Sequence, residues 1–256
     1  SCGLNPDPPR LMEMTWAPEI RASFIPLITD EYDPDPDRLS YVVSEYGVTG
    51  YPGFEEVLDA SPEAVLICTP PTLHVSQALE AIRSHAHLFV EKPLSHSLDN
   101  VDELIQEAAA QNLVAQVGYN LRFHPGLKRT KALLEEGVIG RVMWARAELG
   151  QYLPDWRPWQ DYRESYTAHR SMGGGIILDG SHEIDYMRWL FGEVAQVYCL
   201  ADVLSDLEVD AEDTASIVMR FAAGCVGEVH LDFVQRQRVR SCKIVGSEGT
   251  LLWDYL

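Results

Sequence analysis

Residues 64–95, AVLICTPPTLHVSQALEAIRSHAHLFVEKPLS, contain two short apolar runs separated by a stretch with helical periodicity. The first run, 64–68, is too short for an amphipathic helix and is broken by the Thr-Pro-Pro-Thr that follows it. Residues 74–84 carry apolar side chains at helical spacing, and residues 88–90 form the second run. A strand, a helix and a strand in close succession predict parallel pairing with a right-handed crossover.

The same alternation extends to both sides of this segment. It predicts a first strand over 22–29 and a last strand over 114–118. The predicted helices span 39–46 (ended by Gly47), 54–58 and 99–112. The first half is therefore predicted to be a doubly wound α/β domain. Such domains bind ligands beyond the carboxyl ends of their strands, where Pro70-Pro71 and Glu91-Lys92-Pro93 are placed.

The second half has a different pattern. Its predicted elements are a helix over 125–136, a strand over 141–152, an aromatic loop, a helix running from the triple glycine at 173–175 through Trp189 to Gly192, and alternating strands over 194–203, 214–221, 225–233 and 240–245. This order predicts an α+β domain with a largely antiparallel open sheet. We place the domains at 1–119 and 120–256. The missing initial Met and the strand-like last residues suggest a fragment.

Composition narrows the class of protein. The 256 residues include 20 Lys plus Arg and 39 Asp plus Glu, a formal charge of −19, so binding to nucleic acid or to an anionic membrane is not expected. No apolar stretch approaches the roughly 20 residues that a membrane span needs. The five cysteines are dispersed without a CxxC pair or zinc spacing, which favours a reducing cytoplasm and no metal site.

Three motifs occur in order along the chain: Glu91-Lys92-Pro93, then GYNLRFHP at 118–125, then GGGIILDGSHEID at 173–185. Together they resemble the Gfo/Idh/MocA family of NAD(P)-dependent sugar and cyclitol oxidoreductases, from about Asp33 to the end of the chain. The resemblance implies a Rossmann-like domain followed by an α+β domain. It also implies a homo-oligomer, because the open sheet of the family often forms subunit contacts.

The resemblance also implies three site residues. The family's EKP lysine lies near the nicotinamide and the substrate hydroxyl, and an aspartate and a histidine after the triple glycine complete the site; here these are Lys92, Asp179 and His182. A cis Lys92-Pro93 bond is implied as well. Much of the family separates the aspartate and histidine by three residues, whereas Gly180 and Ser181 alone separate them here.

These residue types suit the oxidation of a secondary alcohol. His182 is predicted to take the hydroxyl proton, since an imidazole titrates near neutral pH, and Lys92 to stabilise the developing alkoxide. Asp179, His182 and Asp185 are three residues apart and would share a helix face. The alternatives are an ordinary turn lysine, a core histidine and a structural aspartate.

For the cofactor, Asp33 follows a strand and precedes a helix, where an acid accepts hydrogen bonds from the adenosine ribose; this favours NAD over NADP, although NADP remains possible. It is alternatively a helix-start acid. The other cofactor-binding candidates are Arg38, Thr69, Pro70, His74, Glu91 and Lys92, with His74 alternatively covering the start of a helix. No GxGxxG loop is readable in residues 1–20, so weak or absent cofactor binding is expected.

For the substrate, the loop around residues 156–163 combines aromatic faces with guanidinium groups, a mixture that suits sugars. The substrate-binding candidates are Trp156, Tyr162, Arg163 and Arg122 together with Lys92, Asp179 and His182; the two arginines would bind an anionic group. The loop is alternatively a structural cluster or a subunit contact.

The sequence therefore predicts a cytoplasmic oxidoreductase that transfers a hydride between NAD and a secondary alcohol of a sugar, cyclitol or nucleotide sugar. The alternative is a non-catalytic sugar or dinucleotide sensor, or an inactive truncated member of the same fold.

Overall fold

The computed structural model describes residues 28–255 and contains two compact units, one ending at Pro62 and one beginning at Glu63. The predicted domain boundary at Tyr119 remains a prediction. Most of the strand predicted over 22–29, and the residues in which no glycine-rich loop was readable, lie outside the described part.

The first unit pairs two short parallel strands, β1 (Asp30–Glu31) and β2 (Thr49–Gly50), with helices α1 (Pro36–Tyr46) and α2 (Phe54–Asp59). Helix α1 begins three residues earlier than predicted because Asp35 caps it, accepting hydrogen bonds from the N–H groups of Asp37 and Arg38, and because Pro36 suits the first helical position. It ends, as predicted, at Gly47 in the left-handed conformation, with φ of 69°.

The second unit opens with a three-stranded parallel sheet in the order β3 (Ala64–Ile67), β4 (His87–Val90), β5 (Ala115–Val117). Helix α3 (His74–Arg83) joins the first two strands and α4 (Val101–Ala110) the last two. The parallel sheet confirms the predicted α/β class. Its strand ends place Glu91-Lys92 directly after β4 and Gly118 directly after β5.

A six-stranded sheet follows in the order β11-β10-β6-β9-β8-β7. Its strands are β6 (Val142–Gly150), β7 (Val194–Asp202), β8 (Thr214–Phe221), β9 (Val226–Asp232), β10 (Val239–Gly246) and β11 (Thr250–Asp254). Every neighbouring pair is antiparallel except β6 and β9, which confirms a largely antiparallel sheet. Burial alternates along β8, so that one face of the sheet is covered and the other is open.

Three helices contribute buried residues to the hydrophobic core on this sheet: α5 (Pro125–Glu135), α6 (Ile176–Asp179) and α7 (Ser181–Phe191). The prediction of one continuous helix from the triple glycine through Trp189 was wrong, because the chain forms two helices separated by Gly180. A Cβ at Gly180 would lie 2.8 Å from the carbonyl oxygen of Ile176 and 3.1 Å from Leu231, so the break needs a residue without a side chain. Within the described residues, no helix is long and apolar enough to cross a membrane.

Candidate active site

The side chain of Lys92 extends from the end of β4 to the end of α6. Its Nζ donates to the backbone oxygen of Asp179 at 2.8 Å and to Asp179 Oδ1 at 3.0 Å, and only 16% of the side chain is exposed. The Lys92-Pro93 bond is cis, as the resemblance implied. An ammonium has three donors, so one N–H of Lys92 stays available to a ligand oxygen.

Asp179 is held by more than its lysine. Tyr166 donates its hydroxyl to Asp179 Oδ1 at 3.1 Å, and Thr167 donates to Oδ2 at 3.0 Å. Sequence reasoning missed both partners, because they lie in irregular 3₁₀ turns that have no periodic signal. Both carboxylate oxygens are therefore occupied, and Asp179 acts on Lys92 with a fixed orientation.

The triple glycine explains how Tyr166 and Thr167 reach Asp179. A Cβ on Gly174 would lie 2.6 Å from the carbonyl oxygen of Thr167, 2.8 Å from that of His169 and closer still to that of Tyr166. Gly175 has φ of 108°, a conformation that side chains disfavour. The loop can thus approach the start of α6 only where side chains are absent.

Lys92 and Asp179 each stabilise the charged form of the other. Burial is the largest influence on the pKa of Lys92 and lowers it, but Asp179, Tyr166 and Glu91 together raise that pKa above its ordinary value. Burial likewise acts to raise the pKa of Asp179, and Lys92 more than reverses this, so that its pKa is lowered. Lys92 therefore remains an ammonium and Asp179 a carboxylate at neutral pH.

His182 lies in the first turn of α7, beyond the break at Gly180. Burial first, then the charges of Lys92 and Arg240, hold its pKa well below 6.5, although Asp179 opposes them. The ring meets Tyr119 edge-on, with centroids 5.6 Å apart, and its buried Nδ1 has no hydrogen-bond partner among residues 28–255. A neutral imidazole keeps one nitrogen that can accept a proton, so His182 has the protonation state of a base.

A second ion pair lies beside His182 along α7. Glu183, which is fully buried, accepts from Arg240 Nε at 2.8 Å and from Arg240 Nη2 at 3.2 Å. Arg240 comes from β10, 57 residues away along the chain. Sequence reasoning missed this pair because nothing local relates its two members.

The turn after β3 is tied to the turn after β4 by His74. The ring of His74 is buried, with Nδ1 2.8 Å from the carbonyl oxygen of Pro93 and Nε2 2.7 Å from that of Thr69. This arrangement favours the second role considered for His74, which is to cover the helix start and fix the turns. Glu91 accepts from the backbone N–H of Lys92 at 3.1 Å, and burial is the main cause that raises its pKa.

Of the remaining cofactor candidates, Asp33 and Arg38 belong to the first unit. Asp33 accepts a hydrogen bond from the backbone N–H of Asp35 at 2.8 Å, and Arg38 Nε lies 3.4 Å from Asp35 Oδ2. Their contacts within the first unit support the start of α1. Their contact with a ribose remains a prediction.

Most of the substrate-binding candidates already have protein partners. Arg122 forms a two-bond ion pair with Asp185, at 2.8 and 2.6 Å, and Arg163 is held by Asp161 and Glu208. Trp156 donates Nε1 to the oxygen of Gln151 and packs edge-on against the ring of Phe233, while Tyr162 accepts through its hydroxyl from the N–H of Glu208. These contacts favour the structural alternative for the aromatic loop.

Several of the predicted cofactor-binding residues lie at one edge of the parallel sheet. Thr69-Pro70, Glu91-Lys92 and Gly118 follow the three strands, as ligand sites of such sheets do. The half-exposed Leu73 adds apolar surface to the turn after β3. Glycine at residue 118 leaves room for the carboxylate of Glu91. A Cβ added at this position would lie only 3.2 Å from Glu91 Oε1.

Comparison with known proteins agrees with this arrangement. A family model described as an oxidoreductase family with an NAD-binding Rossmann fold matches residues 22–119, and the model of the GFO/IDH/MocA C-terminal domain matches residues 127–252. Myo-inositol 2-dehydrogenase of Thermotoga maritima is 31% identical over 85% of this chain and 65% of its own length. Levoglucosan dehydrogenase of Pseudarthrobacter phenanthrenivorans is 29% identical over 77% of this chain and 56% of its own length.

Among solved structures, a probable dehydrogenase from Thermotoga maritima matches with a TM-score of 0.78 and 28% identity, over 93% of this chain and 72% of that one. The chain spans less than two thirds of the length of the two curated relatives above. The two family models together cover both halves of the chain, and the three sequence motifs lie within or directly beside them. The chain belongs to the GFO/IDH/MocA family of oxidoreductases.

Proposed function

We propose that this protein is an NAD-dependent dehydrogenase that oxidises a secondary alcohol of a sugar, cyclitol or nucleotide sugar. The observation that carries the proposal is the meeting of a charged Lys92, an ionised Asp179 and a neutral His182 within one unit. The names of the relatives, a myo-inositol and a levoglucosan dehydrogenase, support this class of substrate.

In the proposed reaction, the substrate hydroxyl oxygen accepts a hydrogen bond from the remaining N–H of Lys92, and the hydroxyl gives its proton to His182. Because Lys92 keeps its charge, it stabilises the negative charge that develops on that oxygen. Asp179, Tyr166 and Thr167 orient the ammonium. The nicotinamide, when bound, supplies the hydride acceptor; Thr69, Pro70, Glu91 and Lys92 would hold it, with Asp33 and Arg38 on the adenosine ribose.

A titration with NADH, followed by its fluorescence, tests cofactor binding by the chain. A panel of sugars, cyclitols and nucleotide sugars with NAD⁺ then tests turnover, with Lys92→Met as the inactive comparison. Saturable binding and turnover of at least one polyol are the expected results. Absence of NADH binding would refute the proposal, and binding without turnover across the panel would favour the non-catalytic sensor.

We also propose that the open face of the six-stranded sheet binds a second copy of this chain. Tyr198 and Leu200 of β7 are 72% and 83% exposed on it, beside the exposed Val218 of β8. The central strands carry charges of both signs: Arg146 lies in register with Glu228 on one side and Lys243 on the other, and its Nη2 is 3.7 Å from Glu148 Oε2. In a chain of charge −19, such an apolar and nearly neutral face is the surface on which two copies repel each other least.

Analytical ultracentrifugation measures this association. The wild type should sediment as more than one 28.8-kDa chain, and Leu200→Glu should shift it toward the single chain. Leu98→Glu is the matched control, since Leu98 is 88% exposed but lies outside the sheet. A wild type that is monomeric at all concentrations would contradict the assignment.

A cytoplasmic location and the absence of a nucleic-acid partner also remain proposals. They are supported by the charge of −19 and by Cys199, Cys225 and Cys242, which form no disulfide.

A further inference from the structure

Arg157 differs from the other cations around the site. Lys92 is paired with Asp179, Arg122 with Asp185 and Arg240 with Glu183, all within 3.0 Å. Arg157 forms no ion pair with any residue in the described range. Its hydrogen bond, from Nη1 to Ser165 Oγ, is long at 3.4 Å.

Hydroxyl groups connect this guanidinium to the site. Ser165 Oγ donates to Thr167 Oγ1 at 3.3 Å, and Thr167 Oγ1 donates to Asp179 Oδ2 at 3.0 Å. Ser165 and Thr167 are both buried, so this connection is shielded from bulk water. Arg157 is therefore connected through two hydroxyl groups to the carboxylate that orients Lys92.

The charge of Arg157 reaches both acidic groups of the network. After burial and Lys92, it is the next group to influence the pKa of Asp179, which it lowers. Burial and Asp179 raise the pKa of Tyr166 to about 12, against the charges of Lys92 and Arg157. These effects agree with the hydrogen-bond path, and both show that the charge of Arg157 acts on Asp179 and Tyr166.

A half-buried guanidinium that lacks a carboxylate partner in the protein has N–H groups free to bind an anionic ligand. Five N–H donors in a planar fork match a carboxylate in two-bond geometry, and a neutral hydroxyl would use few of them. The other positive groups at the site have their charge matched within the protein. Arg157 is thus the cation of this region, within the described residues, whose charge is left for a ligand to match.

We propose that Arg157 binds a carboxylate on the substrate, so that the protein acts on an acidic sugar rather than a neutral one. This inference rests on the proposed dehydrogenase function. Arg157 takes the place of Arg122 and Arg163 as the candidate for binding an anionic group, because the guanidinium groups of those two residues are paired with protein carboxylates.

Pairs of sugars that differ only in a carboxylate test the role of Arg157. Oxidation by NAD⁺ is compared between glucuronate and glucose, and between galacturonate and galactose. We expect kcat/KM for at least one acid to exceed that of its neutral partner by about tenfold or more, because a charged hydrogen-bonded pair is worth about that factor or more. Arg157→Met should reduce this ratio to about 1, chiefly through KM, and Arg157→Lys should keep part of it. Arg170→Met, which alters an exposed guanidinium in the same region, should leave the ratio unchanged.

The outcomes separate this inference from the proposed function. Turnover of neutral sugars with no preference for the acids overturns the role of Arg157 and leaves the dehydrogenase intact. Failure to bind NADH refutes the dehydrogenase itself. If the NADH complex binds neither glucuronate nor galacturonate by calorimetry, or if glucose 6-phosphate is preferred to glucuronate, the carboxylate assignment is overturned. Circular dichroism of Arg157→Met and Arg157→Gln verifies that any loss is not a loss of fold.

Discussion

At the scale of single residues, the site is a set of charges fixed by their neighbours. Lys92 uses two donors on Asp179, and Asp179 uses both oxygens on Lys92, Tyr166 and Thr167. The sequence predicted Lys92, Asp179 and His182 because each stands in a motif. It did not predict Tyr166, Thr167 or Arg157, because their partners are set by the course of a loop without periodicity.

The protonation of His182 gives a testable pH dependence. A base works in its deprotonated form, and burial, with Lys92 and Arg240 against Asp179, holds the pKa of His182 well below 6.5. Turnover at saturating substrate should therefore persist below pH 6.5 and fall only as pH drops through the lowered pKa. Steady-state rates across the acidic range, with circular dichroism to verify folding, give the midpoint. A midpoint at or above 6.5 would contradict the account.

At the scale of elements, the parallel strands and most helices could be predicted because each has its own apolar period and end signals. Helix α1 shows this, with Asp35-Pro36 at one end and Gly47 at the other. The break at Gly180 could not be predicted, since it depends on the contact between a backbone carbonyl of α6 and Leu231 of a distant strand. That break places Asp179 and His182 on two helices rather than on one face.

Substitution of Gly174 tests how the triple glycine builds the site. In Gly174→Ala, the added methyl meets three backbone carbonyls, so we expect the free energy of unfolding to fall by about 1–3 kcal/mol. Turnover should fall as well, because the loop that carries Tyr166 and Thr167 must retreat from Asp179. Urea unfolding and kcat measure the two effects.

Gly53→Ala is the control for this substitution, since its methyl meets only the flexible side chain of Glu56. Equal stability of the Gly174→Ala and Gly53→Ala proteins would show that the loop does not need the close approach.

The pair of Glu183 and Arg240 links α7 to β10. Arg240→Met would leave a fully buried carboxylate without its partner, so we expect a loss of about 3–5 kcal/mol in the free energy of unfolding. The double variant Glu183→Leu/Arg240→Met should recover most of it, since both charges are then gone. Arg188→Met removes an exposed pair with Glu193 and should change stability by less than about 0.5 kcal/mol. Urea unfolding in which Arg240→Met matched Arg188→Met would contradict a structural role for the pair.

At the scale of the whole molecule, function depends on groups from distant parts of the chain. Lys92 and Asp179 are 87 residues apart in sequence, yet their side chains are hydrogen-bonded. The family resemblance predicted this meeting, whereas composition and periodicity alone predicted only the two kinds of fold. The net charge of −19 and the nearly neutral open sheet face are likewise properties of the whole chain, and the face became visible only when the strand register was known.

In the proposed reaction, Lys92 and His182 act on the same substrate oxygen. The most direct test is the single-turnover rate of NADH formation in Lys92→Met, His182→Asn and the double variant, with Lys128→Met as a control for an exposed lysine. Each single variant should lose about a hundredfold or more, and the double variant should lose far less than the product of the two. Losses that multiply as independent factors, or a single variant with the wild-type rate, would contradict the claim.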